Sequence, residues 1–254
     1  MKMRIHHRRS TGTLIVSVLA AIAARAASAA AADSAVTRIE PYLMASQQQE
    51  IALARSAAPP AISMHATVMV LTTHGYVAKV KGSNGFVCVV TRSWDSAGKP
   101  NQPGFWDPRI SVAKCYNPPA ARTLFAENLM LKTRLVAAGA SEAEIVARVN
   151  AAWAAGKIEE DPPGAMSYMM SKRSWGVGGH PGAWRPHLMF YYPAGKVPDV
   201  GANLQGVPVV AGVEDDHTTV VNVLALVWSD QSPAPSLVRS AAAAKTSPGS
   251  SAKG

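Results

Sequence analysis

Ala66–Arg92, ATVMVLTTHGYVAKVKGSNGFVCVVTR, holds three runs rich in Val, Thr, Tyr and Phe: Ala66–Leu71, Tyr76–Val80 and Phe86–Arg92. Thr72-Thr73-His74-Gly75 divides the first pair and Lys81-Gly82-Ser83-Asn84-Gly85 the second. β-branched and aromatic runs bounded by Gly and Asn predict strands, and an Asn-Gly pair predicts a hairpin turn. The stretch is therefore expected to form an antiparallel meander. Gly82 to Gly85 lacks the Lys-Ser/Thr ending of a phosphate loop.

Helical signals follow. Asn117 before Pro118 predicts an N-cap with proline at the first helical position, Leu124, Phe125, Leu131 and Leu135 supply apolar faces, and Gly139 supplies a stop. Ser141 with Glu144 predicts a capping box, Ile145, Val149 and Trp153 recur at helical spacing, and Gly156 closes the run. Two helices in a hairpin are expected. Pro41–Ala57 is expected to form a helix before the meander, and Met166–Lys172 a short one after the hairpin. Further strands are expected at His187–Tyr192, Val207–Val213 and Thr218–Trp228. Strands, then helices, then strands, without βαβ alternation, give an α+β fold: a mainly antiparallel sheet, made of an N-terminal meander plus C-terminal strands, with a central helical hairpin.

The N-terminus reads as an address. Lys2, Arg4, Arg8 and Arg9 precede an apolar run from Leu14 to Ala24, and Ala27-Ser28-Ala29 offers an A-x-A cleavage site. Residues 1–29 are expected to be a secretory signal peptide, since the run is about half of the roughly 20 residues that span a bilayer. A periplasmic or secreted protein follows, with no transmembrane segment in the mature chain. Gln231 to Gly254, composed of Ser, Ala, Pro, Gly and Lys, is expected to be a disordered basic tail, leaving 30–230 as one domain.

Net charge is +9, which invites a nucleic-acid reading. The excess lies at the two ends: between Ala30 and Asp230 there are 17 basic and 16 acidic residues. No run of cations interleaved with aromatics occurs there, so nucleic acid is not an expected partner. The two cysteines, Cys88 and Cys115, are expected to form a disulfide in an oxidising compartment.

Chemistry points to one segment. Met166–Tyr192 carries six of the sixteen aromatics, together with four of ten methionines, around Gly176, Gly178, Gly179 and Gly182. Glycine lets backbone approach a ligand and aromatic rings supply apolar walls, so Trp175, His180, Trp184, His187 and Tyr191 are the candidate ligand-binding residues. The alternative is a divalent metal held by His180, His187, His217 and Asp216, in a metal-dependent hydrolase. Met166, Met169 and Met170 fall at helical spacing and offer a Cu(I) site or, more simply, a buried helix face. Neither a G-x-S-x-G elbow nor an S-x-x-K with K-T-G is present, and the remaining acids, Glu50, Asp95, Asp107, Glu127 and Asp199, cannot be paired from sequence. No resident cofactor is expected.

GFVCVVTRSW (Gly85–Trp94), SYMMSK (Ser167–Lys172), HLMFYYP (His187–Pro193) and GANLQG (Gly201–Gly206) resemble a set of uncharacterised exported bacterial proteins of similar length. The resemblance implies an exported single-domain protein with one cysteine pair and carries no activity or site residue. Together these features lead to the expectation of a non-catalytic binding or envelope-associated module whose partner is a small ligand or an envelope component.

Overall fold

The computed structural model describes residues 38–96, 104–176, 184–213 and 217–235, so the signal sequence and most of the basic tail lie outside the described residues. The strands are β1 (Thr67–Thr72), β2 (Gly75–Val80), β3 (Val87–Thr91), β4 (Val112–Tyr116), β5 (Met166–Met169), β6 (His187–Pro193), β7 (Val209–Val213) and β8 (Thr218–Leu224). All eight join one sheet in the order β2-β1-β3-β4-β5-β6-β8-β7. The fold is α+β, and every pairing is antiparallel except β1 with β3.

That exception corrects the meander. β1 and β2 form the expected hairpin through Thr73-His74, but the chain then crosses the start of β1 and lays β3 along its other side, parallel to it. Gly82 makes the crossing: a Cβ there would stand 2.2 Å from the Thr67 nitrogen and 2.3 Å from the Ala66 carbonyl carbon. The Asn84 side-chain amide donates to the Ile62 carbonyl and its Oδ1 accepts from Phe86 N. Asn-Gly is therefore part of a wound connection, because the amide finds backbone partners outside the turn.

Two helical layers cover the sheet. Helix α1 (Gln47–Arg55), capped by Ser46, is followed by the short α2 (Pro60–Ser63). The expected Pro41–Ala57 helix is thus broken: Glu40–Tyr42 is a 3-10 turn, and Leu43 after it is extended. Leu53, Ala54, Ala57 and Ala58 pack on Val68, Cys88, Val90, Ala113 and Cys115 of one sheet face. On the other face, Phe125, Leu129, Val136, Ile145 and Val149 of the central hairpin meet Val89, Tyr116, Met169, Met189, Tyr191 and Val220.

The hairpin follows its sequence signals. Helix α3, residues 118–137, begins at the Asn117 cap, runs as a π-helix over Ala121–Leu129 and finishes as an α-helix over Met130–Ala137. Helix α4 (Glu142–Ala154) opens with the Ser141/Glu144 capping box. Gly139 and Gly156 have positive φ. Each ends its helix with paired bonds, Gly139 N to Val136 O and Ala140 N to Leu135 O, then Gly156 N to Trp153 O and Lys157 N to Ala152 O.

Met166–Lys172 is not a helix. Met166–Met169 is strand β5, hydrogen-bonded between β4 and β6. Pairing on both sides satisfies its backbone, which a single helical turn could not do between two strands. At the far edge, Asn203 closes β7: its side chain donates to the Ala211 carbonyl and accepts from Ala211 N. The GANLQG segment thereby occupies hydrogen-bonding groups that a bare edge strand would offer to another chain.

Candidate functional site

The described part of the aromatic segment packs on itself. Trp175 exchanges backbone hydrogen bonds with Ser111. A Cβ on Gly176 would lie 2.3 Å from Trp184 Cζ3, so this glycine makes room for an indole of the same chain, and Trp184 Nε1 donates to the Ser171 carbonyl. Tyr191 is buried, its hydroxyl 2.7 Å from Ser167 Oγ and its ring beside Tyr116. His180, Gly178, Gly179 and Gly182 lie outside the described residues.

His187 is half-buried at the start of β6, with Nδ1 2.7 Å from the Arg185 carbonyl. Burial lowers its pKa below the usual 6.5, the Arg185 carbonyl opposes that shift, and the Lys114 charge adds to it. The unfolded chain therefore binds the proton more tightly than the folded one, and the His187 contribution to stability is lost as pH falls through and below 6.5. Urea midpoints at pH 7.5 and pH 5 are expected to differ less in His187→Asn than in wild type; an unchanged difference refutes the assignment.

The histidines do not converge. The register pairs His187 with Leu224 and Pro193 with Thr218, so His187 and His217 stand at opposite ends of the β6/β8 ladder, about 20 Å apart at the usual rise per residue. One ion cannot bind both. His217 instead stacks on Trp153, with ring centroids 4.6 Å apart, beside Asn150, Glu159 and Glu160. Glu160 holds Lys196 at 2.7 Å. Asp216 lies outside the described residues, and among those described no group of three His, Cys, Asp or Glu could hold a metal. In strand β5, Met166 and Met169 point to opposite faces, which dissolves the expected methionine stripe.

Two buried ionic clusters escape any sequence pattern. Under α1, Glu50 and Arg92 pair at 3.0 Å, each about 2 % exposed or less. On the hairpin face, Lys114 Nζ meets the Asp95 carboxylate and Lys132 Nζ donates to the Asp95 carbonyl. The first cluster fills a splay in the sheet: β1 and β3 pair only at Thr67↔Val87 and Val68↔Cys88. Beyond that point Glu50 accepts from Leu71 N, while Arg92 and the Tyr76 hydroxyl both donate to the Val90 carbonyl. Burial raises the Tyr76 pKa, so its phenol stays protonated as a donor. These groups build the frame.

Two open features flank the helical hairpin: a cavity of about 540 Å³ beside Trp153 and His217, and a groove of about 470 Å³ on its solvent side that gathers three cations. Ala126 and Leu131 and Leu135 from α3, Ala151 and Ala152 from α4, and Ile158 beyond it make an apolar floor, kept open by the small alanines. Arg134, Arg148 and Lys157 rise around it, one from each of the same three elements. The left-handed Gly156 turns the chain back so that Lys157 stands exposed at the groove and Ile158 is buried in the core beside it. Glu127, the acid of the rim, is engaged: its carboxylate accepts from Glu159 N at 2.7 Å. Arg148 adds to the lowering of the Glu144 pKa, which the Ser141 backbone and hydroxyl bonds dominate. Among the described residues Arg134, Arg148 and Lys157 form no ion pair. An apolar cleft of a few hundred Å³ with a few polar groups at its margin has the anatomy of a small-molecule site.

The chain matches no family model, no curated protein and no solved structure. Among the described residues no helix is long and apolar enough to cross a membrane.

Proposed function

We propose that this protein is an exported, non-catalytic binding module, periplasmic or secreted, that holds a small ligand in the groove of its helical hairpin. The observation that carries the reading is the trio Arg134, Arg148 and Lys157, which stand around an apolar floor and among the described residues form no ion pair. Cations beside apolar surface provide both attraction and orientation for a ligand. The N-terminal address and the Cys88–Cys115 disulfide support export. The metal-dependent hydrolase alternative draws no support from His187 and His217, which lie too far apart to share an ion.

Native mass spectrometry of the protein purified from the periplasm, beside its Ala151→Trp variant, tests this. Ala151 is exposed on the groove wall, so the indole fills the site without entering the core. A small-molecule adduct present in wild type and absent from the variant is expected. The same adduct on both proteins would place the ligand elsewhere and end the groove reading.

A further inference from the structure

We infer that the ligand of this groove is an amphipathic organic anion, its acidic head held by Arg134, Arg148 and Lys157 and its apolar body laid along Leu131 and Leu135. The inference rests on the reading of the groove as the ligand site. It adds the chemical class, and the class follows from the arrangement of charge. Three cations against a single acid leave the rim with an excess of two positive charges, and that acid already serves as acceptor for the Glu159 amide. A neutral apolar ligand would make no use of those cations, and a small inorganic anion would leave the half-buried Leu131 and Leu135 in water. An amphiphile with one acidic group satisfies both demands.

The two arginines have the right chemistry for the head. A guanidinium presents parallel N–H donors that match a carboxylate, sulfonate or phosphate oxygen pair, while Lys157 adds a movable point charge. The arginines line the same groove from the two helices of the hairpin, and the head group is proposed to sit between them. All three cations are exposed in the free protein. Binding is therefore expected to weaken as salt screens the head-group contacts.

Calorimetric titration of the exported full chain with sodium decanoate and with decan-1-ol separates charge from apolar bulk. Decanoate is expected to bind one per chain and more tightly than the alcohol. In R134Q/R148Q its affinity is expected to fall at least about tenfold, equal to about 1.4 kcal/mol at 25 °C, with alcohol binding unchanged. Both arginines are exposed and glutamine keeps helix propensity, so the double variant is expected to melt with wild type, which the same preparation checks. Equal binding of acid and alcohol, no binding of decanoate, or a double variant that binds decanoate as wild type does would overturn the anion assignment. Loss of the native adduct in Ala151→Trp would still uphold the groove as the site, so the two failures remain distinct. Sedimentation with phosphatidylglycerol vesicles covers the other source of anionic heads: arginine-dependent capture by vesicles without decanoate binding would overturn a soluble amphiphile in favour of a membrane surface.

Discussion

Glu50→Ala is expected to destabilise the protein by about 3 to 5 kcal/mol, the range for breaking a buried ion pair from one side. The cost has two sources. Arg92, 2 % exposed, loses its carboxylate and remains charged under α1, and Leu71 N loses the acceptor that replaces a strand partner where β1 and β3 splay apart. Arg92 retains bonds to the Tyr42 and Val90 carbonyls, which fix its position while leaving its charge unbalanced. Urea denaturation of wild type and variant measures the effect. The companion variant Glu50→Leu/Arg92→Met removes both charges and is expected to recover much of the loss, since apolar replacement of a buried pair is often neutral or better. A single variant losing less than about 1 kcal/mol would mean that water reaches the pair and that the splay is held by other contacts.

This pair shows why part of the structure was legible in the chain and part was not. Helix boundaries at Asn117, Ser141, Gly139 and Gly156 depend on bonds made within a few residues, and each local signal is matched by the bond it predicts. The α+β class and its mainly antiparallel sheet followed from the order of such segments, while strand β4 carried no signal that marked it in advance. Met166–Met169 went the other way because its neighbours, Cys115 and Tyr116 on one side and His187 to Phe190 on the other, compete for its backbone more strongly than its own periodicity. Likewise the turn chemistry of Ser83-Asn84-Gly85 is real, but β3 is placed by its pairing with β1 and β4, which no local pattern encodes. Glu50 and Arg92 are 42 residues apart in sequence. Arg134, Arg148 and Lys157 lie on three elements, and as exposed cations on helical surfaces they look like ordinary solvated residues until the hairpin closes a groove between them. In the aromatic segment Gly176 makes room for the Trp184 indole and Tyr191 is buried, while Trp175 and Trp184 stay partly exposed.

Loss of the Cys88–Cys115 disulfide is the other change expected to cost several kcal/mol. The two residues are direct cross-strand partners in the β3/β4 ladder, and both are fully buried under α1. The bond closes a loop spanning 27 positions, worth about 3.5 kcal/mol by the chain-entropy relation. Since β3 and β4 already hold five paired positions, the native strands stay in place when the bond is cut, and the loss falls on the unfolded state, which gains freedom. Cys88→Ala/Cys115→Ala also removes two buried sulfurs from contact with Leu53 and Ala54, so it is expected to cost more than reduction alone. Urea midpoints of oxidised, reduced and doubly substituted protein separate these terms, and oxidised greater than reduced greater than substituted is the expected order. Reduction without effect would refute the entropic account and remove the disulfide as support for export, because a bond that contributes nothing gives the oxidising compartment no part in the stability of this fold.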